Sequence, residues 1–259
     1  MRLSLTSQPA SAGLRWFKAG FQELLRQPLA YAGLFATFML AVLLVSVVPL
    51  VGGPLLMMSM PLLSLAFVMA AAGTRRGVPV RVAVLLAPWR SGPVQQRRRL
   101  FQLCLSYAVA LTLLLWLAGL VDGGQFDRWL ELTAKGETGS PEWENLSADP
   151  AVRDGLLFRL VSGSLLSMLY WHAPPLVQWA DQGVAQALFS SVMALWRSLG
   201  AFIVYNLCWL AAGLGLMLLQ LAVPAMGILT LPAWLLLSTA FYASLYASFV
   251  DSFAAVSPD

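Results

Sequence analysis

Charge is what this sequence has least of. Only 11% of its 259 residues are Asp, Glu, Lys or Arg, against roughly a quarter in soluble domains, and a chain that poor in charge cannot cover an ordinary water-soluble globule. Cysteine is scarce as well. Cys104 and Cys208 are too few for a disulfide framework, and both fall inside apolar runs, where small buried packing residues are expected. His172 is the sole histidine, which excludes the two-histidine zinc motifs. No Gly-rich loop followed by Lys is present to cradle phosphates. A Ser164–His172 dyad fails on distance, since eight residues along one helix separate the pair by about 12 Å. The expectation is a non-enzymatic protein with no cofactor and no metal.

What the chain does have is hydrocarbon. It is 59% hydrophobic with a mean hydropathy of +0.75. Six apolar runs stand out, at about 28–51, 54–73, 100–121, 156–177, 201–223 and 228–250. Each is long enough, at 1.5 Å per residue, to cross a hydrocarbon core of roughly 30 Å. Residues 28–73 would make about 69 Å of continuous helix, twice what a bilayer holds, so they cross twice. Residues 51–54 and 224–227 make the first two and the last two runs tight hairpins. The predicted fold is an all-α integral membrane protein, with 1–259 a single polytopic domain of six transmembrane helices in hairpins.

Orientation follows from the basic residues. Twelve of the sixteen fall before the first run, between the second and third, or between the fourth and fifth, while eight of the twelve acids lie in 122–155. Retained loops carry the Lys/Arg excess, so both termini are expected in the cytoplasm and 122–155 is expected to be an acidic periplasmic loop, solvated or partly ordered. Residues 1–27 hold no apolar core of a cleaved signal, which leaves the first span as the insertion signal. Residues 12–27 place Trp16, Phe17, Phe21, Leu24 and Leu25 near one helical face, and 183–199 repeat the arrangement with Val184, Leu188, Val192, Leu195 and Trp196. Both read as amphipathic helices lying in the cytoplasmic headgroup layer. The segments 23–31 and 194–202 match at leucine, arginine, alanine and an aromatic, an offset of 171 residues. Residues 79–99 with the third and fourth spans form a candidate middle copy.

Several short stretches carry a family resemblance: Ala12-Gly13-Leu14-Arg15-Trp16-Phe17 through Arg26-Gln27-Pro28, Ala173-Pro174-Pro175 followed by Gln186-Ala187-Leu188-Phe189-Ser190-Ser191, Arg197-Ser198-Leu199-Gly200-Ala201-Phe202, and Tyr246-Ala247-Ser248-Phe249-Val250-Asp251-Ser252-Phe253. Over nearly the whole chain except the acidic loop, the sequence resembles an uncharacterised family of proteobacterial six-span inner-membrane proteins. More distantly it looks like the membrane domains found alone or attached to glycerophosphodiester phosphodiesterases. The resemblance implies architecture and a bacterial inner-membrane location, and it carries over no catalytic residue.

Polar residues inside spans are expensive and so are the candidate functional positions. Arg159 sits near the outer end of the fourth span, where it snorkels outward or pairs with Asp154 or Asp122. His172 is expected at the interface beside Trp171, with a proton relay or ligand contact as the alternative. Asn206 would bond across helices if it faces inward. Tyr242 needs a polar partner if buried, and Asp251 is expected to pair with Arg197 or Arg26. In the sixth span Ala240, Ser244 and Ser248 recur every four residues, and Ala211 and Gly215 in the fifth share that spacing, so the last hairpin is expected to pack through small residues. Arg26, Arg97, Arg98, Arg99 and Arg197 abut spans on the basic side, where anionic headgroups attract each by about 1 kcal/mol. Membrane lipids are therefore the expected partners, together with a membrane-protein partner or a second copy of the chain, and nucleic acid is not. Two functions compete: an accessory, assembly or envelope-maintenance factor, and a small-solute or ion transporter or channel. A continuous polar cavity lined by Ser164, Asn206 and Tyr242 would favour transport, and a closed centre the accessory role.

Overall fold

Proline sets most of the helix boundaries. In the computed structural model, which describes residues 3–90, 92–223 and 229–255, the order is β1 (Leu3–Leu5), α1 (Ser11–Arg26), α2 (Pro28–Ser46), α3 (Gly52–Thr74), a 3-10 turn (Val82–Leu86) running into α4 (Ala87–Arg90), then α5 (Val94–Asp122), α6 (Gln125–Ala134), α7 (Pro141–Ala148), α8 (Pro150–Tyr170), α9 (Ala173–Ala180), α10 (Val184–Arg197), α11 (Leu199–Ala222), α12 (Thr230–Ser252) and β2 (Phe253–Ala255). Pro28, Pro141 and Pro150 open α2, α7 and α8, where a missing N–H costs nothing.

The six expected runs differ from the helices in instructive ways. α2, α3, α5, α11 and α12 are each long and apolar enough to cross a membrane. The first run ends at Ser46, not at 51, because Pro49 disfavours helix in the residue before it and lacks a donor. The largest correction concerns the run at 156–177, which is not one helix. α8 stops at Tyr170, and α9 starts afresh at Ala173, because Pro174 and Pro175 supply no N–H groups for carbonyls in the turn before them. The acidic segment 122–155, expected to be solvated or partly ordered, is largely helical. It folds into α6 and α7, which enclose a small core of Phe126, Leu132, Leu146 and Val152. The junction 224–227 and Ile228 lie outside the described residues. β1 and β2 pair antiparallel, Leu3 with Ala255 and Leu5 with Phe253, a departure from the all-α expectation that ties the two ends of the chain together.

The helix expected at 12–27 does form, as α1, but its apolar face is covered by protein instead of being left for headgroups. Trp16 is 1% exposed. Backbone closeness makes this possible: a β-carbon on Gly13 would overlap the Ala201 carbonyl oxygen and lie 2.7 Å from the Tyr205 nitrogen, and one on Gly20 would overlap the Ala240 carbonyl and lie 2.8 Å from Ser244 Cβ. α1 thus packs against α11 and α12. It is further tied to α3 by buried Glu23, whose Oε1 accepts from Arg75 Nε at 2.7 Å.

The segment pattern at an offset of 171 residues has a geometric counterpart. A single residue, Gln27, separates α1 from α2, and Ser198 separates α10 from α11 in the same way. Each surface segment packs on the hairpin of a different unit: α1 on α11 and α12, the 3-10 turn on α2 and α3, and α10 on α8. The hairpins themselves meet through α3 with α5 and through α12 with α2 and α3. The third seam, between α8 and α11, is open. Trp171, just past α8, packs edge-on to Phe202 and Tyr205 at 5.1 and 5.6 Å, and no residue of α11 beyond Tyr205 is buried.

Replacing Gly20 with valine should lower stability by about 1–3 kcal/mol, the usual effect of overpacking, whereas Gly33→Ala, with open space around its β-carbon, should change it by less than about 1 kcal/mol. Thermal unfolding of the two variants in one detergent compares them directly.

Candidate functional site

Polar side chains within apolar spans collect at three places, the first of them the arginine-rich end. There Asp251, the last carboxylate of α12, accepts from Trp16 Nε1 at 2.8 Å and lies 3.6 Å from Arg15. Its backbone oxygen takes hydrogen bonds from the Thr6 hydroxyl and from Gln8 Nε2. Ser7 Oγ donates to the Arg197 carbonyl at 2.8 Å, and Gln8 N to Ser198 Oγ at 3.0 Å. The expected partners of Asp251, Arg197 and Arg26, are therefore replaced by Trp16 and Arg15. Sequence spacing concealed this, because α1 was assigned to the headgroups.

The second place is the break after α8. His172 is 1% exposed, enclosed by protein. Its backbone N–H donates to Ser191 Oγ at 3.0 Å, its Nε2 meets Ser248 Oγ at 3.2 Å, and its ring lies against Phe249 and Phe253. Ser191 in turn donates to the Met168 carbonyl, one of those freed by the break. Ser248 donates to the Leu245 carbonyl at 2.9 Å and receives Trp171 Nε1–H at 3.3 Å. The Ser248 hydroxyl thereby links α12 to the break after α8. His172 Nδ1 has no hydrogen-bond partner among the described residues.

Beside this break lies a cavity of about 230 Å³ between α3, α5, α8 and α12, with Ser64, Tyr107, Ser167, Tyr170, Trp171 and Tyr242 in its walls. Tyr242 stands where a site was expected, but Ser164 and Asn206 do not join it. Both are exposed on the outside of the bundle, with Ser164 Oγ bonded to the Leu160 carbonyl and Asn206 Nδ2 to that of Phe202. Of the cavity's own hydroxyls, Ser64 donates to the Pro61 carbonyl and Tyr170 pairs with Ser106 at 2.9 Å, while those of Tyr107, Ser167 and Tyr242 have no hydrogen-bond partner among the described residues.

At the opposite end, Arg159 pairs with Asp122 and, at 3.1 Å, with Asp127, while its guanidinium sits 4.4 Å over the Phe126 ring. The Asp122 side chain is 0% exposed and that of Arg159 13%. Asp154 is bonded to Arg153 instead. Further out, Arg128 joins α6 to α7 through Glu142 at 2.8 Å and also pairs with Glu131, which Lys135 meets at 2.6 Å. These bonds hold Glu131 and Glu142 below the ordinary carboxylate value and raise Arg128: Lys135 then Arg128 act on Glu131, Arg128 on Glu142, and Glu142 chiefly on Arg128.

The expected packing stripe is half right. Ala240, Ser244 and Ser248 are buried, but they meet α1, Tyr205 near the start of α11, and His172, and not Ala211 and Gly215. Gly20 occupies the position opposite Ala240 and Ser244, and the Tyr205 hydroxyl bonds Ser244. Ala211 and Gly215 face outward. Among the expected headgroup contacts, Arg26, Arg98 and Arg197 are exposed. Arg99 instead binds the side chain and carbonyl of Asp181, and Arg97 reaches the Trp89 carbonyl. Glu23 was overlooked in the sequence, although the only acid in a basic amphipathic segment is a signal for a buried ion pair.

Compared with known proteins, the chain is 32% identical over 268 residues to a probable inner membrane protein of Burkholderia thailandensis, with 99% of this chain and 96% of that one aligned. It belongs to that protein's family. No family model and no solved structure matches the chain. With five membrane-length apolar helices and this relative, it is an integral, multi-pass protein of the bacterial inner membrane.

Removing the cation at Arg159 strands a buried carboxylate. Arg159→Ala should cost about 3–5 kcal/mol, and Asp122→Asn added to Arg159→Met should recover most of it, as unfolding of the single and double variants would show. For the α6–α7 pair the sign is set by depressed carboxylates: their contribution is complete above the unfolded value of 4.5 and is lost as pH falls through the lower folded values. Near-ultraviolet circular dichroism from the stacked Trp129 and Trp143 should stay constant from about pH 8 to 5 and weaken below about 4.

Proposed function

We propose that this protein is a non-enzymatic accessory, assembly or envelope-maintenance factor of the inner membrane, acting through helix and lipid contacts. The observation that carries this reading is the open seam between α8 and α11. α11 also leaves Asn206 uncovered on one face and Ala211 with Gly215 on the opposite one, the latter a small-residue pair of the kind that lets helices approach in lipid. A membrane-protein partner contributing one helix is the natural occupant. The transport reading has less support, since Ser106, Thr112, Ser162, Ser164, Asn206 and Thr239 all bond to carbonyls of their own helices, which leaves Tyr107, Ser167 and Tyr242 as the unbonded hydroxyls of the central cavity among the described residues.

The arrangement in the bilayer is six crossings with the arginine-rich end in the cytoplasm. Pairing of β1 with β2 supports an even number of crossings, because both chain ends must then lie on one side. α8, whose first half carries Arg153, Asp154 and Arg159, is the sixth. The charge imbalance supports the direction.

Two measurements test this. Reporter fusions should place residue 90 in the cytoplasm and residue 140 in the periplasm, and the reverse would overturn the orientation. In native-lipid particles a stoichiometric protein partner should co-purify with the wild type and be lost with Gly215→Leu. A β-carbon at Gly215 meets nothing in the chain itself, so stability should be unaltered. A specific solute in place of a protein would favour transport.

A further inference from the structure

A second cavity, of about 610 Å³, opens at the arginine-rich end between the last turns of α3, α9 and the last two turns of α12. It falls within the range of roughly 300–1,000 Å³ typical of small-molecule sites. Its chemistry is two-sided. Met69, Trp179, Tyr246, Phe249 and Phe253 make one continuous apolar wall, in which Trp179 lies edge-on to Tyr246 and Phe249 at 6.4 and 5.5 Å and Phe249 stacks on Phe253 at 5.2 Å. The charged member of the lining is Arg76.

Arg76 differs from its neighbour. Arg75 is committed to buried Glu23 and lies 4.9 Å over the Tyr246 ring, so it fixes one wall of the cavity. Arg76 is exposed and makes no ion pair among the described residues. Carboxylates at this end of the fold are engaged elsewhere: Glu23 by Arg75 and Arg26, Asp251 by Trp16 and Arg15, and Asp181 by Arg99. With no carboxylate on Arg76 among the described residues, the cavity offers a cation to an external anion, and the aromatic slot beside it suits one with an apolar portion. A small hydrated anion would leave that wall wet.

We propose that this cavity binds one acyl chain of an anionic phospholipid, with the lipid phosphate on Arg76. The proposal rests on the reading above only for which leaflet supplies the lipid; binding itself does not depend on it. Arg76 presents a planar guanidinium suited to two phosphate oxygens, and the acyl chain runs along Trp179 and Phe249 toward Met69.

Native mass spectrometry on the full chain, delipidated in detergent, tests this with three probes: phosphatidylglycerol, phosphatidylcholine of the same acyl chains, and inorganic phosphate. One phosphatidylglycerol should be retained about tenfold more strongly than phosphatidylcholine, the size expected for a charge-assisted contact. Arg76→Gln should abolish that preference, and Val250→Trp, which fills the cavity, should weaken both lipids. Arg90→Gln, on the same end but outside the lining, should behave as wild type. Lipid preference that survives Arg76→Gln would overturn the proposal, as would displacement of phosphatidylglycerol by inorganic phosphate at low concentration. If Val250→Trp lowers the thermal midpoint, Arg76→Gln decides alone. Reporter fusions that reversed the orientation would reassign the leaflet and leave the binding result standing.

Discussion

The arginine-rich end of this protein depends on how closely α1 approaches the backbones of α11 and α12. In lipid, burying hydrocarbon gains little, because the surroundings are as apolar as the interior, and helices associate through close packing and hydrogen bonds. Gly13 and Gly20 provide the packing by letting α1 reach the carbonyls of Ala201 and Ala240. Trp16 and Glu23 provide the bonds, one to Asp251 and the other to Arg75. These two links fasten α1 to the end of α12 and the end of α3. Trp171, Tyr205 and Phe241 then pack around the same centre.

The spans were legible because each crossing demands some twenty apolar residues, a signal that no other part of a fold imitates. Local chemistry was harder to read where hydropathy stayed level. The Ala173-Pro174-Pro175 sequence was in plain view, yet the run through Val177 remained apolar, and only backbone hydrogen bonding distinguishes one helix from two. Small residues gave a stripe without an address: Ala240 and Ser244 found a glycine on α1, while Ala211 and Gly215, at the same spacing, found no partner within the chain. Asp251 shows the same limit, since its partners are about 235 residues away in sequence and no periodicity links them. The chain ends were unreadable for a further reason. Three-residue strands have no pattern of their own and exist only through each other.

Seen as three units, the molecule is a ring that closes at two seams and stays open at the third. The closed seams bury α3 and α12 most fully among the spans. The open one is shut only near its arginine-rich end, by Trp171 against Phe202 and Tyr205. The same end holds the break after α8, whose freed carbonyls are met by Ser191. The cavity beside Tyr242 is walled mainly by aromatic rings and alkyl chains, with the hydroxyls of Tyr107, Ser167 and Tyr242 unbonded among the described residues.

The position of α1 also has a bearing on biogenesis. It is synthesised before α2 to α10 and the two helices that bury it after them, so Trp16 and Glu23 wait through the insertion of every intervening span before the helix gains its cover. Contacts this distant in sequence are slow to form, and until they do the early segment is an amphipathic strand of polypeptide with a free apolar face at the membrane surface. Burial of α1 is thus a late docking event that follows the insertion of α11 and α12.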